Sequence, residues 1–481
     1  MIMLDKRNEK TMENKEIVNQ GEQKENKMGV MPMNRLLVNV AFPMVLSMLV
    51  QACYNIVDSA FVARIKDGTE AGTSGTAALV AVGMAFPFQM LVIAVAAGTG
   101  VGINAILSKA LGEKDTDTVE KAANNGVFLS AISYLVFLII GIFFSKILIS
   151  SQGGSGLALD YGIQYLSIAY IGSIGVFTQF LFERLLQSTG RTFYSMITQL
   201  TGAIINIILD PILIFGLCGM PELKVAGAAI ATIIGQICAG ILAIIINHHK
   251  NPDVHVRLKG FRPNGAIIKK IYIVGVPSII MQAIGSVMTY SMNKMLTALN
   301  EDAVAVFTVY FKLQSFFFMP TFGINNGMIP ILAFNFGARK RKRMLQVIRY
   351  SMLYAFIFLA IGFAMFELIP DKLLMIFDTG DASLLTLGVP ALRIIGFHFL
   401  VAWFCIIGGS VFQSLGNGVY SLAVSVVRQL VVLIPVAYIL SKIGGLDLIW
   451  WAFPIAECMS LVLTIFFLIR INKKIIQKIP E

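Results

Sequence analysis

Charged side chains are the scarcest resource of this chain: Asp, Glu, Lys and Arg make up only 14% of its 481 residues. A soluble protein of this length needs far more polar surface. The five cysteines, Cys53, Cys218, Cys238, Cys405 and Cys458, are scattered in or at the ends of apolar runs without metal-ligand spacing, so they are expected as small buried residues. The four histidines form no cluster. No phosphate-binding loop is present, which removes ATP as a source of energy. No HExxH and no nucleophile elbow occurs either, so the sequence offers no enzyme chemistry and no cofactor site.

Apolar sequence is abundant. Hydrophobic residues reach 57%, with mean hydropathy +0.77. They fall into twelve runs, roughly 36–62, 76–107, 126–149, 160–182, 193–216, 224–247, 266–297, 303–332, 346–369, 386–412, 420–441 and 447–469. Each can cross a hydrocarbon core, which takes about 20 helical residues. A lipid-facing backbone must satisfy its own hydrogen bonds, so the runs are predicted as helices 1–12 of an all-α integral membrane protein.

The net charge of +11 follows topology and carries no suggestion of nucleic acid. With the N-terminus inside, 27 of the 38 basic residues fall in the tail, the inner loops and the C-terminal end. The run Arg339–Arg343 and the loop from Lys250 to Lys270 carry much of that bias. The positive-inside rule then puts both termini in the cytoplasm of a multi-pass plasma-membrane protein. Residues 1–34 are polar and are expected as a disordered cytoplasmic tail, with no cleavable signal. Trp450 and Trp451 are expected at the outer interface, at the start of helix 12.

The chain repeats itself. Gly98, Gly102 and Gly112 recur as Gly323, Gly327 and Gly337, and Gln187-Ser188-x-Gly190-x3-Tyr194-Ser195 recurs as Gln413-Ser414-x-Gly416-x3-Tyr420-Ser421. The offsets are 225 and 226, so the chain divides into an N-lobe (35–247), a cytoplasmic loop (248–265), a C-lobe (266–470) and a tail (471–481). Six helices is an even number, so the lobes are parallel repeats around a central cavity, an architecture of alternating access. The glycines lie inside apolar helices at a spacing that serves close helix packing.

Ionisable groups within a bilayer are functional candidates. Asp58 lies in helix 1, fifteen residues after Pro43, where the helix is expected to hinge. Asn206 and Asp210 share a face of helix 5, and Ala228 and Thr232 share one of helix 6. All reach a similar depth in the outer half of the N-lobe. Two carboxylates, an amide and a hydroxyl suit a small alkali cation such as Na⁺. They equally suit a proton, because two close carboxylates in low dielectric do not both stay charged. The alternative is that Asp58 faces a watery vestibule and Asp210 merely precedes Pro211. Gln51, Tyr54, Asn55, Gln89, Gln282 and Gln314 are candidate cavity residues for a small organic cation, amid 23 Met and 34 Phe. Glu183 with Arg184, and Lys312 with Glu457, are expected as structural pairs. Arg428 is expected to snorkel to the inner interface, and His398 is expected as a packing residue or a proton carrier.

These residues resemble the multidrug and toxic-compound extrusion (MATE) family over about 32–470. The carriers are the stretch from Pro43 to Val57-Asp58-Ser59, GTGVGINAILSKALGEKD at 98–115, QSTGRT at 187–192, N-x3-DP in helix 5 and GAAIAT in helix 6. The resemblance implies export of drugs and other organic cations in exchange for Na⁺ or H⁺, with Asp58, Asn206, Asp210 and Thr232 as the N-lobe cation site. One branch of the family adds an acid in helix 7 for a C-lobe cation site, and helix 7 here has none between Pro277 and Met292. The competing reading is a flippase or exporter of a lipid-linked or other specific metabolite. Such proteins often need a strongly basic cavity, whereas deep basic residues are few here. The protein is expected to act as a monomer in the lipid bilayer.

The charge bias yields a first test. A reporter enzyme fused after Arg470 is expected to read as cytoplasmic, and an external reading would reverse the assigned topology.

Overall fold

The structure, a computed structural model, describes residues 26–62, 64–65, 76–152, 156–257, 259–376 and 382–480. The predicted tail up to residue 25 lies outside the described residues. The twelve runs are helical, and among the described residues there is no β-strand. They are α1 (Met33–Val62), α2 (Thr76–Glu113), α3 (Thr116–Phe143), α4 (Gly156–Ile171 and Ile174–Ser188), α5 (Thr192–Phe215), α6 (Lys224–Lys250), α7 (Gly265–Leu299), α8 (Glu301–Gly337), α9 (Arg341–Leu368), α10 (Ala382–Gly396 and Phe399–Ser414), α11 (Gly418–Ile449) and α12 (Ala452–Lys474). Side chains such as Leu135, Ile139 and Phe143 form an exposed stripe along α3, at 52%, 52% and 69%. Such a surface is at home only against lipid tails.

Several elements differ from expectation. Helices 4 and 10 are each broken, with bends of 44° and 50°. The breaks fall at Gly172–Ser173 and Phe397–His398, where no proline announces them. Helices 2 and 8 run on past their apolar stretches to Glu113 and Gly337. Within α11, residues Val427–Leu433 form a π-helix. Trp450 is buried at the α11–α12 turn, against Phe307 at 6.3 Å, so its ring packs inside the protein. Among the cysteines only Cys405 is buried, while Cys53, Cys218 and Cys458 are exposed.

The repeated sequence makes repeated structure. Gly190 and Gly416, at the α4–α5 and α10–α11 junctions, both take a left-handed backbone, with φ of 75° and 77°. A side chain at either position would be strained. The other repeated glycines all face the opposite lobe. A Cβ on Gly98 or Gly102 of α2 would overlap Ile279 or the Ile271 carbonyl of α7. A Cβ on Gly323 or Gly327 of α8 would overlap the backbone of α1 at Val45 or Ala41. Gly112 and Gly337 are reciprocal, each pressed on a backbone carbonyl of the other's helix, Phe334 and Lys109. Every one of these contacts lies in the half of the molecule nearer the face that carries Arg339–Arg343, termed the basic face below.

A short peptide reinforces that seam. Residues Lys27–Val30 form a single helical turn, capped by the Asn26 side chain, and Met28 is fully buried. The stretch 26–34 was expected to be disordered; it is instead docked. The Met28 carbonyl accepts from Asn335 Nδ2 (3.2 Å) and Arg343 Nη2 (3.0 Å), and the Gly29 carbonyl from Lys340 Nζ (2.9 Å), all from the C-lobe. On its other side Met28 packs at Gly190 of the N-lobe. Burial, and then the nearby Arg191 guanidinium, push the Lys27 ammonium below its usual pKa.

The seam predicts a steric outcome. Gly112→Val and Gly337→Val are each expected to destabilise the purified protein by about 1–3 kcal/mol, the usual cost of overpacking a tight contact. Gly83→Val, where a Cβ meets nothing within 4 Å, is the control. Equal thermal stability of all three variants would contradict the contact.

Candidate functional site

Glycines also build the site. On α5 and α6, Gly202 and Gly235 each lie against the other's backbone, and Gly227 lies against the Leu213 carbonyl. This close approach brings Asn206 of α5 beside Thr232 of α6, one turn away from the glycines. The Asn206 amide takes the orientation that gives both its atoms a partner. Its nitrogen donates to Asp210 Oδ2 at 3.1 Å, and its oxygen accepts from Thr232 N at 3.0 Å and Thr232 Oγ1 at 3.2 Å.

The chain of bonds continues in both directions. The Tyr54 hydroxyl of α1 lies within hydrogen-bond reach of the Thr232 side chain. At the other end, the Asp210 and Asp58 carboxyls are within hydrogen-bond reach of one another. Two ionised carboxylates offer only acceptors to one another, so a close pair of them calls for a proton or another cation between them. The sequence of contacts is therefore Tyr54, Thr232, Asn206, Asp210, with Asp58 closing it. Asp210 is fully buried and Asn206 nearly so, at 3% exposure. The second oxygen of Asp58, Oδ1, is buried without a partner.

The structure thus brings together Asp58, Asn206, Asp210 and Thr232 from three helices, with Ala228 buried one turn from Thr232. It adds Tyr54, which sequence reasoning had assigned to the cavity. Gln89 is drawn in as well: Tyr165 donates to its Oε1 at 3.4 Å, and both line a small cavity with Thr232 and Gln236. Tyr165 was missed, since it is one of three tyrosines on the same apolar segment, with Tyr161 and Tyr170, and nothing local tells which hydroxyl reaches the site. The remaining cavity candidates are dispersed. Gln51 and Gln282 are exposed on α1 and α7, and Gln314 donates to His398 Nε2 at 3.2 Å. The Asn55 side chain lies outside the described residues. Pro43 sits within a continuous α1, where Ser47 donates to its carbonyl at 2.9 Å.

The other expected pairs rearrange. Glu183 and Arg184 are both buried but point apart. Glu183 accepts from Gln179, Thr198 and Gln199 at 2.7–3.1 Å. Arg184 donates to Gln187 (2.8 Å) and across the seam to Asn326 (3.3 Å). Arg428 does not snorkel to the inner interface: it is paired with Glu457 at 3.2 Å.

Comparison with known proteins bears on the family and the fold. The MatE family profile matches residues 43–212 and 277–439, one stretch in each lobe. The multidrug export protein MepA of Staphylococcus haemolyticus is 25% identical over 92% of this chain and 94% of its own length. MepA of Staphylococcus aureus strain MRSA252 is 26% identical over 91% and 94%. Among solved structures, an outward-facing multidrug resistance MATE family transporter of the MOP superfamily superimposes with a TM-score of 0.87 at 25% identity, over 95% of this chain and 99% of that one. A MOP superfamily transporter from Pyrococcus furiosus, described as having a binding pocket of reversed polarity, shares the fold with a TM-score of 0.84 at 24% identity, over 95% and 99%.

The bond chain predicts a rank order. Thr232→Val leaves the Tyr54 hydroxyl without its partner and removes one donor from Asn206, and is expected to cost about 1–3 kcal/mol. Tyr54→Phe removes a single partner, at about 0.5–1.5 kcal/mol. Thermal unfolding of the two purified variants checks the order.

Proposed function

The chain belongs to the MatE family, and on that premise we propose that it exports small organic cations in exchange for a proton held between Asp58 and Asp210. The contact between those two carboxyls carries this reading. A proton is the one cation that lets two acids meet directly. Na⁺ is the second reading, favoured by the unpartnered Asp58 Oδ1. It requires the carboxyls to part and the Asn206 amide to turn, because an alkali ion gathers several oxygens.

The protein is a multi-pass membrane protein, and we assign it to the plasma membrane with the basic face in the cytoplasm. The seam lies entirely on that side, and the acid site lies in the other half. The geometry therefore suits an outward-facing state of an alternating-access cycle. Asp58 and Asp210 lose their proton to the outside only if water reaches them, and they neutralise each other's repulsion only with it. α1 links the two regions. It carries Asp58 in its outer half and, near the seam, Pro43, whose missing N–H leaves one backbone position cheap to bend. Binding and release of the proton at Asp58 bias the position of α1, and organic cation and proton are antagonistic through that helix. The protein acts as a monomer and needs no cofactor.

Reconstituted vesicles test this reading. Ethidium export is expected to follow an imposed proton gradient and to fall to the level of protein-free vesicles in Asp58→Asn and Asp210→Asn, both still folded. Export that follows a Na⁺ gradient alone selects the second reading. Wild-type rates in both variants would refute the site.

A further inference from the structure

The duplication gives each lobe a set of equivalent helices, and α11 and α12 repeat α5 and α6. Thr232 lies eight residues after the start of α6 at Lys224, and Ser460 lies eight after the start of α12 at Ala452. Ala228 and Ala456, four residues earlier in each case, are both 1% exposed. Helix starts match Thr232 with Ser460 and the repeat offset of 225 matches it with Glu457, so this turn of α12 is the C-lobe counterpart of the N-lobe candidate site. It is not apolar. Glu457, one turn before Ser460, is 3% exposed, and one of its oxygens, Oε2, accepts from Arg428 Nη1 at 3.2 Å. Its other oxygen, Oε1, is buried without a partner, as are Ser460 Oγ and Tyr310 Oη.

Arg428 reaches this place through an irregular helix. It lies in the π-helical stretch Val427–Leu433 of α11, a rare form that costs hydrogen-bond geometry and tends to mark functional positions. The same point of α5, ten residues after its start at Thr192 as Arg428 is ten after Gly418, is occupied by Gly202. The N-lobe thus has an acid pair and no fixed positive charge, whereas the C-lobe has one acid and a fixed positive charge.

We propose that the C-lobe retains a degenerate counterpart of the cation site in which the guanidinium of Arg428 is a built-in, covalently tethered cation. The exchangeable ligand class it displaces is a small monovalent cation, H⁺ or Na⁺, at Glu457 Oε1 and Oε2 with the hydroxyls of Ser460 and Tyr310. The tether keeps the C-lobe permanently in its cation-loaded condition. Only the N-lobe then loads and unloads, and a single ion site is coupled per cycle. Glu457 is the residue that a free cation would neutralise, and Arg428 is a positioning residue that does so without leaving. The Glu457 carboxyl is buried and costly alone, while Arg428 is about one-third exposed, so the arginine offsets the acid's burial and keeps part of its own solvation. His398 has its ring nitrogens against Gln314 Nε2, at 3.2 Å, and the Ile395 carbonyl. Lys312 lies on the same helix as Tyr310 and remains a charged neighbour to be held constant.

This inference rests on the N-lobe reading, so the N-lobe is silenced first. Purified Asp58→Asn protein is melted in NaCl against choline chloride, at pH 6 and pH 8, alongside D58N/R428M and D58N/R428M/E457Q. The D58N variant is expected to show no specific response to Na⁺. The D58N/R428M variant is expected to gain a rise in Tm with Na⁺ over choline, or with acid relative to the triple variant. The triple variant should lose both. Identical responses of the double and triple variants would overturn the proposal. A Na⁺ or acid response already present in D58N and abolished by adding Glu457→Gln would also overturn it, since the C-lobe would then exchange its cation with Arg428 in place. If D58N/R428M does not fold in choline, extraction in NaCl is the same measurement: recovery in NaCl supports the proposal, and equal failure in both salts refutes it. A D58N response untouched by Glu457→Gln would instead fault the N-lobe assignment, and the comparison of double with triple variant still decides the C-lobe.

Discussion

The contact on which this molecule depends is one of backbone on backbone, where α2 meets α8 at Gly112 and Gly337. Two helices ordinarily stand 8–10 Å apart, held off by their side chains. In a membrane no hydrophobic force pulls them together, so association comes from close packing and small residues. The repeated glycines remove the side chains at six points, and all six lie on one side of the molecule. That asymmetry closes the lobes at the basic face and leaves the acid site in the other half. The docked peptide around Met28 adds polar bonds to the same closure, since its carbonyls satisfy Arg343, Lys340 and Asn335 at the ends of α8 and α9. Opening the molecule on this face must break those bonds together with the glycine contacts.

The same device, used within one lobe, places the chemistry. Gly202 and Gly235 bring α5 against α6, and the side chains one turn further along are then near enough to bond. Asn206 is the pivot. Its amide has one donor end and one acceptor end, and Thr232 takes the acceptor end through both its N–H and its hydroxyl. The donor end is thereby committed to Asp210.

Much of this was legible in the sequence because it repeats or because it is costly. The glycine offsets at 225 survive as paired contacts, and the junction glycines at 190 and 416 survive as paired left-handed turns. Asp58 and Asp210 stand out because a carboxyl in an apolar run needs a reason. What was not legible depends on partners far along the chain. Nothing local distinguishes Trp450 as a core residue until Phe307 is placed against it. The sequence reading paired Lys312 with Glu457 and sent Arg428 to the inner interface, whereas a π-helical turn that no residue pattern announces sets Arg428 against Glu457. Glu183 and Arg184 are adjacent, and adjacent residues on a helix point about 100° apart, so each found separate partners. Polar residues around Met28 concealed an ordered turn, because its partners are the ends of helices some 300 residues away.

The two lobes share a fold but divide its labour by what fills them. Around Glu457 the C-lobe is packed with rings: Phe307, Tyr310, Phe366, His398 and Phe399 stand within 4.7–6.4 Å of a neighbour in that set. Interlocked aromatics resist small displacements, since a ring cannot shift without moving its neighbours. Around Asp210 the N-lobe helices touch through glycine and alanine, where surfaces are smooth and sliding disturbs few side chains. A cation that comes and goes needs helices that can respond to it, whereas a tethered one needs a rigid seat. The smooth lobe therefore carries the acid pair and the packed lobe carries the arginine. By this argument the motion that the proposed cation exchange requires is concentrated in α1, α5 and α6, with the C-lobe as the frame against which they move.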